Sequence, residues 1–139
     1  MKTRFTQLVK YKDSEMQKCE RELLHVNNQL GDAKEKLQNS YEVLSQLQTP
    51  QEGEIRTFVQ SRTSLTIQRD IIKQHTQEVD VITNRANQAK ETLKLAMIEY
   101  EKFKYLEAEQ IKKIMKKRQE AEVKELDEAA LQTFIGKKR

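Results

Sequence analysis

Two runs of apolar residues recur at a mean spacing of 3.5 positions, and the only proline of the 139-residue chain, Pro50, falls between them. Stepping alternately by four and three from Phe5 reaches Val9, Lys12, Met16, Cys19, Leu23, Val26, Leu30, Ala33, Leu37, Ser40, Leu44 and Leu47, and eleven of these thirteen positions are apolar. A 3.5-residue period is narrower than the stripe of a globular helix and is that of a supercoiled seam. A second seam follows the break: Leu65, Gln68, Ile72, His75, Val79, Ile82, Ala86, Ala89, Leu93, Ala96, Tyr100 and Phe103, preceded by Ile55, Phe58 and Val59.

The break between them is "TPQEGE". Thr49-Pro50-Gln51-Glu52 fits a capping box, with Thr49 as N-cap, Pro50 at the first helical position and Glu52 reaching back. Glu52 and Glu54 suit the positive end of a helix dipole. A connection this short returns the second helix beside the first, antiparallel. The expected fold class is therefore all-α: an antiparallel two-helix coiled-coil hairpin with a longer second helix. As a single elongated domain over residues 1–139, it has helix one at about 4–47, a tip at about 48–54 and helix two at about 50–135. Folding about the tip pairs positions summing to roughly one hundred, to within half a heptad: Leu44 near Phe58, Leu30 near Ile72, Val26 near His75, Met16 near Ala86, Phe5 near Ala96.

Helix two meets no stop before Gly136, so it outruns helix one from about residue 104. In this overhang the heptads slip, yet Leu106, Ile111, Ile114 and Met115, then Leu126, Ala130, Leu131, Phe134 and Ile135, keep an apolar face. An apolar face without an internal partner predicts an external one.

Composition narrows the function. Charged residues make up 35% of the chain, aromatic ones 6%, and tryptophan is absent, which argues against a wide, many-sided core. The net charge of +4 comes from 26 basic and 22 acidic residues, a small surplus that is weak support for nucleic-acid binding. Only "KKIMKKR", Lys112 to Arg118, is densely basic. It can serve as a solvated helix face, as a dock for an acidic protein surface, or as a phosphate contact, and "EAEVKELDE" from Glu120 offsets it a turn later. One cysteine, Cys19, cannot form an internal disulfide and reads as a small seam residue, so a cytoplasmic location is the simpler expectation. The start, "MKTRFTQLVKYKD", has no apolar signal region, and the longest uncharged apolar run is "LAMI" at Leu95 to Ile98, so no direct membrane insertion is expected. His25 and His75 stand apart from any nucleophile or acid partner, and no metal-ligand spacing or phosphate loop occurs. No enzyme activity, catalytic residue, cofactor or metal is expected. Lys12 and Ser40 interrupt the first seam as register-setting polar positions do.

Three stretches, "FTQLVKYKDSEMQKCERELL" near the start, "FVQ" at Phe58 and "EAEVKELDEAALQTF" ending at Phe134, resemble the flagellar FliJ family of bacterial type III export, and the resemblance spans essentially the whole chain. It implies an antiparallel coiled coil similar to the gamma stalk of rotary ATP synthases. The stalk would stand in the pore of the hexameric export ATPase, FliI, promote its assembly and activity, and contact the export gate protein FlhA and export chaperones. The place it implies is the cytoplasmic face of the inner membrane at the flagellar base. By this analogy the end carrying Phe5 and Leu8 together with the overhang enters the ring. Its candidate contacts there are Lys112, Lys113, Lys116, Lys117, Arg118, Leu126 and Phe134. Matching "FVQ" assigns gate contact to Phe58, extended to Leu65 and Arg69, although Arg62 stands where the family pattern is commonly apolar. The alternative is a structural coiled-coil scaffold or peripheral stalk. Nucleic acid is not an expected partner.

Overall fold

The computed structural model describes residues 2–47 and 52–138. Two helices make up the fold, α1 (Thr6–Gln46) and the longer α2 (Ile55–Lys138), and no strand occurs among the described residues. The fold class is the all-α helical hairpin that the seams predict.

All thirteen seam positions from Phe5 to Leu47 and all twelve from Leu65 to Phe103 are buried or half-buried, whereas Ile55, Phe58 and Val59 ahead of the second seam are exposed. The period of 3.5 therefore located the inner face of each helix wherever the two helices lie side by side. Burial stays shallow, because two helices cover each other on one side only. Val26, Ala33, Ile72, Ile82 and Ala86 are the buried apolar residues, and none of the described side chains is fully enclosed.

The chain divides into two compact packing units, Gln17–Leu95 and Met1–Met16 with Ala96–Arg139. In the first, Val26, Ala33, Ile82 and Ala86 form a cluster with Leu30 and Val79 packed against it. Near the break the Gln68 side-chain amide donates to the Ser40 carbonyl oxygen at 2.9 Å, while the Ser40 hydroxyl donates to the Lys36 carbonyl at 2.9 Å. Both seam polar groups are thus satisfied where burial would otherwise penalise them. In the second unit Lys12 reaches Glu99 at 3.9 Å and lies 5.7 Å from the centre of the Phe103 ring. A carboxylate and an aromatic face thus lie beside its ammonium at the seam, while its methylene stem packs along the helices.

These pairings run antiparallel but in a different register from the one expected. Ser40 and Gln68 sum to 108, and Lys12 and Glu99 to 111, against the expected one hundred. Val26 accordingly clusters with Ile82 and Ala86, and Leu30 and Val79 both pack against that cluster, which does not include Ile72. Likewise Ala86 belongs to the Val26 layer, and α2 around Phe103 stands opposite Lys12, so Phe5 falls beyond Ala96. The displacement is about one heptad. A one-heptad slip returns every seam residue to the seam, so the apolar pattern is indifferent to it. Polar positions are not: in the observed register Ser40 meets Gln68 and Lys12 meets Glu99.

The helix ends account for the slip. Helix α2 starts at Ile55, later than the position near 50 that the capping box anticipated; Thr49, Pro50 and Gln51 lie outside the described residues. Glu52 and Gly53 form a bend, and the Glu54 carbonyl accepts from the amides of Thr57 (3.0 Å) and Phe58 (3.3 Å), opening the helix there. With Gln68 opposite Ser40, the first two turns of α2 have no α1 residue opposite them. Ile55 is 82% exposed, and Phe58 and Val59 are exposed too. Helix α1 is capped by Thr3, whose hydroxyl accepts from the Phe5 amide at 3.1 Å while the Thr3 amide donates to the Thr6 hydroxyl at 2.8 Å. This is a reciprocal cap with threonine in the place of the usual Glu or Gln.

Gly53 has φ +141°, a region essentially reserved for glycine. An added Cβ would lie 3.9 Å from the nearest atom, Thr57 Cβ, so there is room for it and the penalty is backbone strain alone. Gly53→Ala is expected to destabilise the hairpin by about 1–3 kcal/mol in urea unfolding. An unchanged midpoint would show that the bend is not required.

Candidate functional site

The candidate functional surface is built from what the seams leave outside. In the unit Met1–Met16 with Ala96–Arg139, α2 remains half-buried at Leu106, Ile111 and Ile114, and from Met115 to Gly136 every residue is exposed. The uncovered stretch thus begins about ten residues beyond the predicted 104, another consequence of the heptad slip. Met115, Val123, Leu126, Leu131, Phe134 and Ile135 are all about half or more exposed along it.

The nine candidates for ATPase contact all fall in this unit. Phe5 is half-buried at the start of the seam, whereas Leu8 is exposed on its flank. Lys112, Lys113, Lys116, Lys117 and Arg118 are exposed, as are Leu126 and Phe134 further along α2. Charge concentrates here as well. Of 26 basic and 22 acidic residues, the unit Gln17–Leu95 holds 11 of each, leaving 15 basic and 11 acidic residues and the whole +4 surplus to this unit. Lys112 pairs with Glu109 at 3.5 Å. Near the α1 start, Glu15 accepts a hydrogen bond from the Tyr11 phenol and raises its pKa above the usual value, since ionising Tyr11 would break the bond and set two negative charges together.

The three candidates for gate contact lie in the other unit. At 100° per residue, Phe58, Leu65 and Arg69 fall within about 40° of one another on α2. They differ in access: Arg69 is exposed, Leu65 is half-buried against the seam, and Phe58 is 37% exposed. Phe58 stands one heptad before Leu65 and is therefore a seam residue itself. It is open because α1 stops short of it; the register expected from sequence would have set Leu44 beside it.

Sequence reasoning missed an apolar patch further along α2. Met97, Ile98 and Tyr105 are each about half or more exposed and border a shallow concavity with Glu101, Lys102 and Leu106. Ile98 and Tyr105 are seven residues apart, a repeat that the stronger seam at Tyr100 and Phe103 overshadowed. Among the described residues no group of His, Cys, Asp or Glu could hold a metal ion, and no helix is long and apolar enough to cross a membrane.

A family model for the flagellar FliJ protein matches residues 1–139, the entire chain. The chain belongs to the FliJ family. A search of curated proteins found no match, and neither did a search of solved structures. Family membership makes the chain a component of flagellar protein export, in a family whose members are not catalysts. The three sequence stretches that resemble the FliJ family thus lie inside one match without gaps at either end.

Proposed function

We propose that this FliJ-family chain acts as a stalk for the hexameric export ATPase, docking through the exposed end of α2 and the start of α1, and that it engages the export gate protein FlhA through Phe58. The observation that carries the reading is the exposed stretch Met115–Gly136, which keeps apolar side chains outside and overlaps the basic run Lys112 to Arg118. An isolated helix with this much uncovered apolar surface has reason to be covered in an assembly. Lysines and Arg118 beside it would meet acidic lining residues of a ring, favouring encounter and orientation. The chain contributes no reacting group. Its effect on hydrolysis would come from binding some subunit conformations of the ring more tightly than others, which shifts their populations. Contacts with export chaperones, and a position at the cytoplasmic face of the inner membrane, belong to the same proposal.

Mixing the full chain with the partner ATPase tests it. Ring formation by light scattering and the rate of ATP hydrolysis should both rise with added chain and saturate. A folded sample that changes neither quantity would refute the stalk. Phe58→Ala should leave that stimulation intact while weakening capture of the gate protein's cytoplasmic part.

A further inference from the structure

We infer that the outer face of α2 between Lys112 and Asp127 pairs with the same face of a second copy of this chain, antiparallel, about a two-fold axis at Gln119. Four side chains define the face. At 100° per residue Met115, Gln119, Val123 and Leu126 fall within about 80° of one another and point roughly opposite to the seam at Phe103. Met115 is 51%, Val123 56% and Leu126 69% exposed. The spacing 4, 4, 3 of this row belongs to an eleven-residue repeat, which keeps it nearly straight and separates it from the 3.5-residue seam that faces α1.

Charge identifies the occupant and its direction. The run Lys112–Arg118 holds five basic and no acidic residues; Glu120–Glu128 holds five acidic residues and one lysine. Within the chain these blocks leave each other unused: Lys113, Lys116, Arg118, Glu120, Glu122 and Asp127 make no ion pair within 4.0 Å among the described residues. A parallel copy would lay basic on basic and acidic on acidic. A reversed copy lays basic on acidic, and the middle positions of the two blocks, 115 and 124, sum to 239. The apolar row gives nearly the same centre independently, because Met115 opposite Val123 sums to 238 and sets Gln119 against its own equivalent. Within two residues of this register, on the same flank of the face, Lys113 comes beside Asp127, Lys116 beside Glu120 and Arg118 beside Glu122 of the second copy, and two-fold symmetry doubles each pair.

The paired stretch is short, on the order of 20 Å of helix, and buries less than the roughly 1,200 Å² of a standard stable complex. Association is therefore weak and reversible. It occupies Leu126 and the lysines proposed above for the ATPase, so self-pairing and ring docking exclude each other; the inference itself does not depend on the ring reading, and its test contains no ATPase.

Sedimentation equilibrium of the full chain from about 10 μM to about 1 mM should show the mean mass rising from 16.4 kDa toward twice that value. A chain with Lys113→Glu, Lys116→Glu and Arg118→Glu should associate at least about tenfold more weakly, and so should one with Glu120→Lys, Glu122→Lys and Asp127→Lys. An equimolar mixture of the two should regain association, while circular dichroism shows each fully helical. On a Cys19→Ser background, Met115→Cys and Val123→Cys chains should crosslink to each other in preference to themselves. A wild type monomeric throughout, a mixture without recovery, or preferential Met115→Cys self-crosslinking would each overturn the inference. The first result would leave the face to a different polypeptide.

Discussion

Replacing Ile82 with alanine is expected to lower the stability of the unit Gln17–Leu95 by about 2–3 kcal/mol in chemical unfolding, while Val81→Ala next to it changes stability by less than about 0.5 kcal/mol. Ile82 is 7% exposed and belongs to the cluster with Val26, Ala33 and Ala86; Val81 is 51% exposed. Large-to-small substitutions in closed cores span about 2–5 kcal/mol, because the cavity adds to the lost transfer energy. A two-helix layer opens to solvent on both flanks, and neighbours can partly close over the gap, which places Ile82 in the lower half of that range. The effect is nonetheless large for this fold, since Ala33 and Ala86 beside it contribute little surface and no second layer lies behind. Equal effects at Ile82 and Val81 would mean that the seam phase read from the 3.5-residue period is wrong.

The second large effect separates folding from function. Ending the chain after Ile114 removes the stretch 115–136 in which every residue is exposed, so the unfolding free energy of the remaining hairpin is expected to change by less than about 0.5 kcal/mol. On the stalk proposal, stimulation of the export ATPase by the shortened chain should disappear. A shortened chain that still stimulated at the full level would place the docking surface on the seam-bearing part and away from Lys112 to Phe134. One that lost its helicity would show that α2 beyond Ile114 supports the pairing of α1 with α2, contrary to its exposure.

The seams were legible because a supercoiled pair needs the same two positions of every heptad to face inward, and nothing else in so polar a chain competes for them. Even Lys12, Ser40, Gln68 and His75, which carry no apolar signal, take their seam places by spacing alone. Register was not legible to the same degree. The heptad that aligns one layer aligns every other layer a heptad away, and the choice among them falls to the connection and to the polar positions. Here the capping-box reading of Thr49 to Glu52 started α2 too early, whereas the glycine-dependent bend at Gly53 and the Glu54 carbonyl start it at Ile55. The Ser40 and Gln68 layer, recognisable as two polar seam residues, could have been matched to each other and would have given the observed alignment. The outward candidates were legible as residue types, from the basic run to Phe134. What those residues contact is decided by the surface of another molecule, which leaves no mark on the periodicity of this one.

The bare first turns of α2 carry a mechanical consequence. Ile55, Thr57 and Val59 there are β-branched residues with weak helical preference, and just beyond them the hydroxyls of Thr63, Ser64 and Thr66 turn back onto carbonyls of their own helix. Lacking a neighbouring helix to brace it, this segment should unwind ahead of the cluster around Val26 and exchange its amide hydrogens sooner. A molecule that grips Phe58 would therefore stiffen these first turns of α2 and supply the missing half of that heptad layer from its own surface, leaving the zipped layers beyond Gln68 undisturbed.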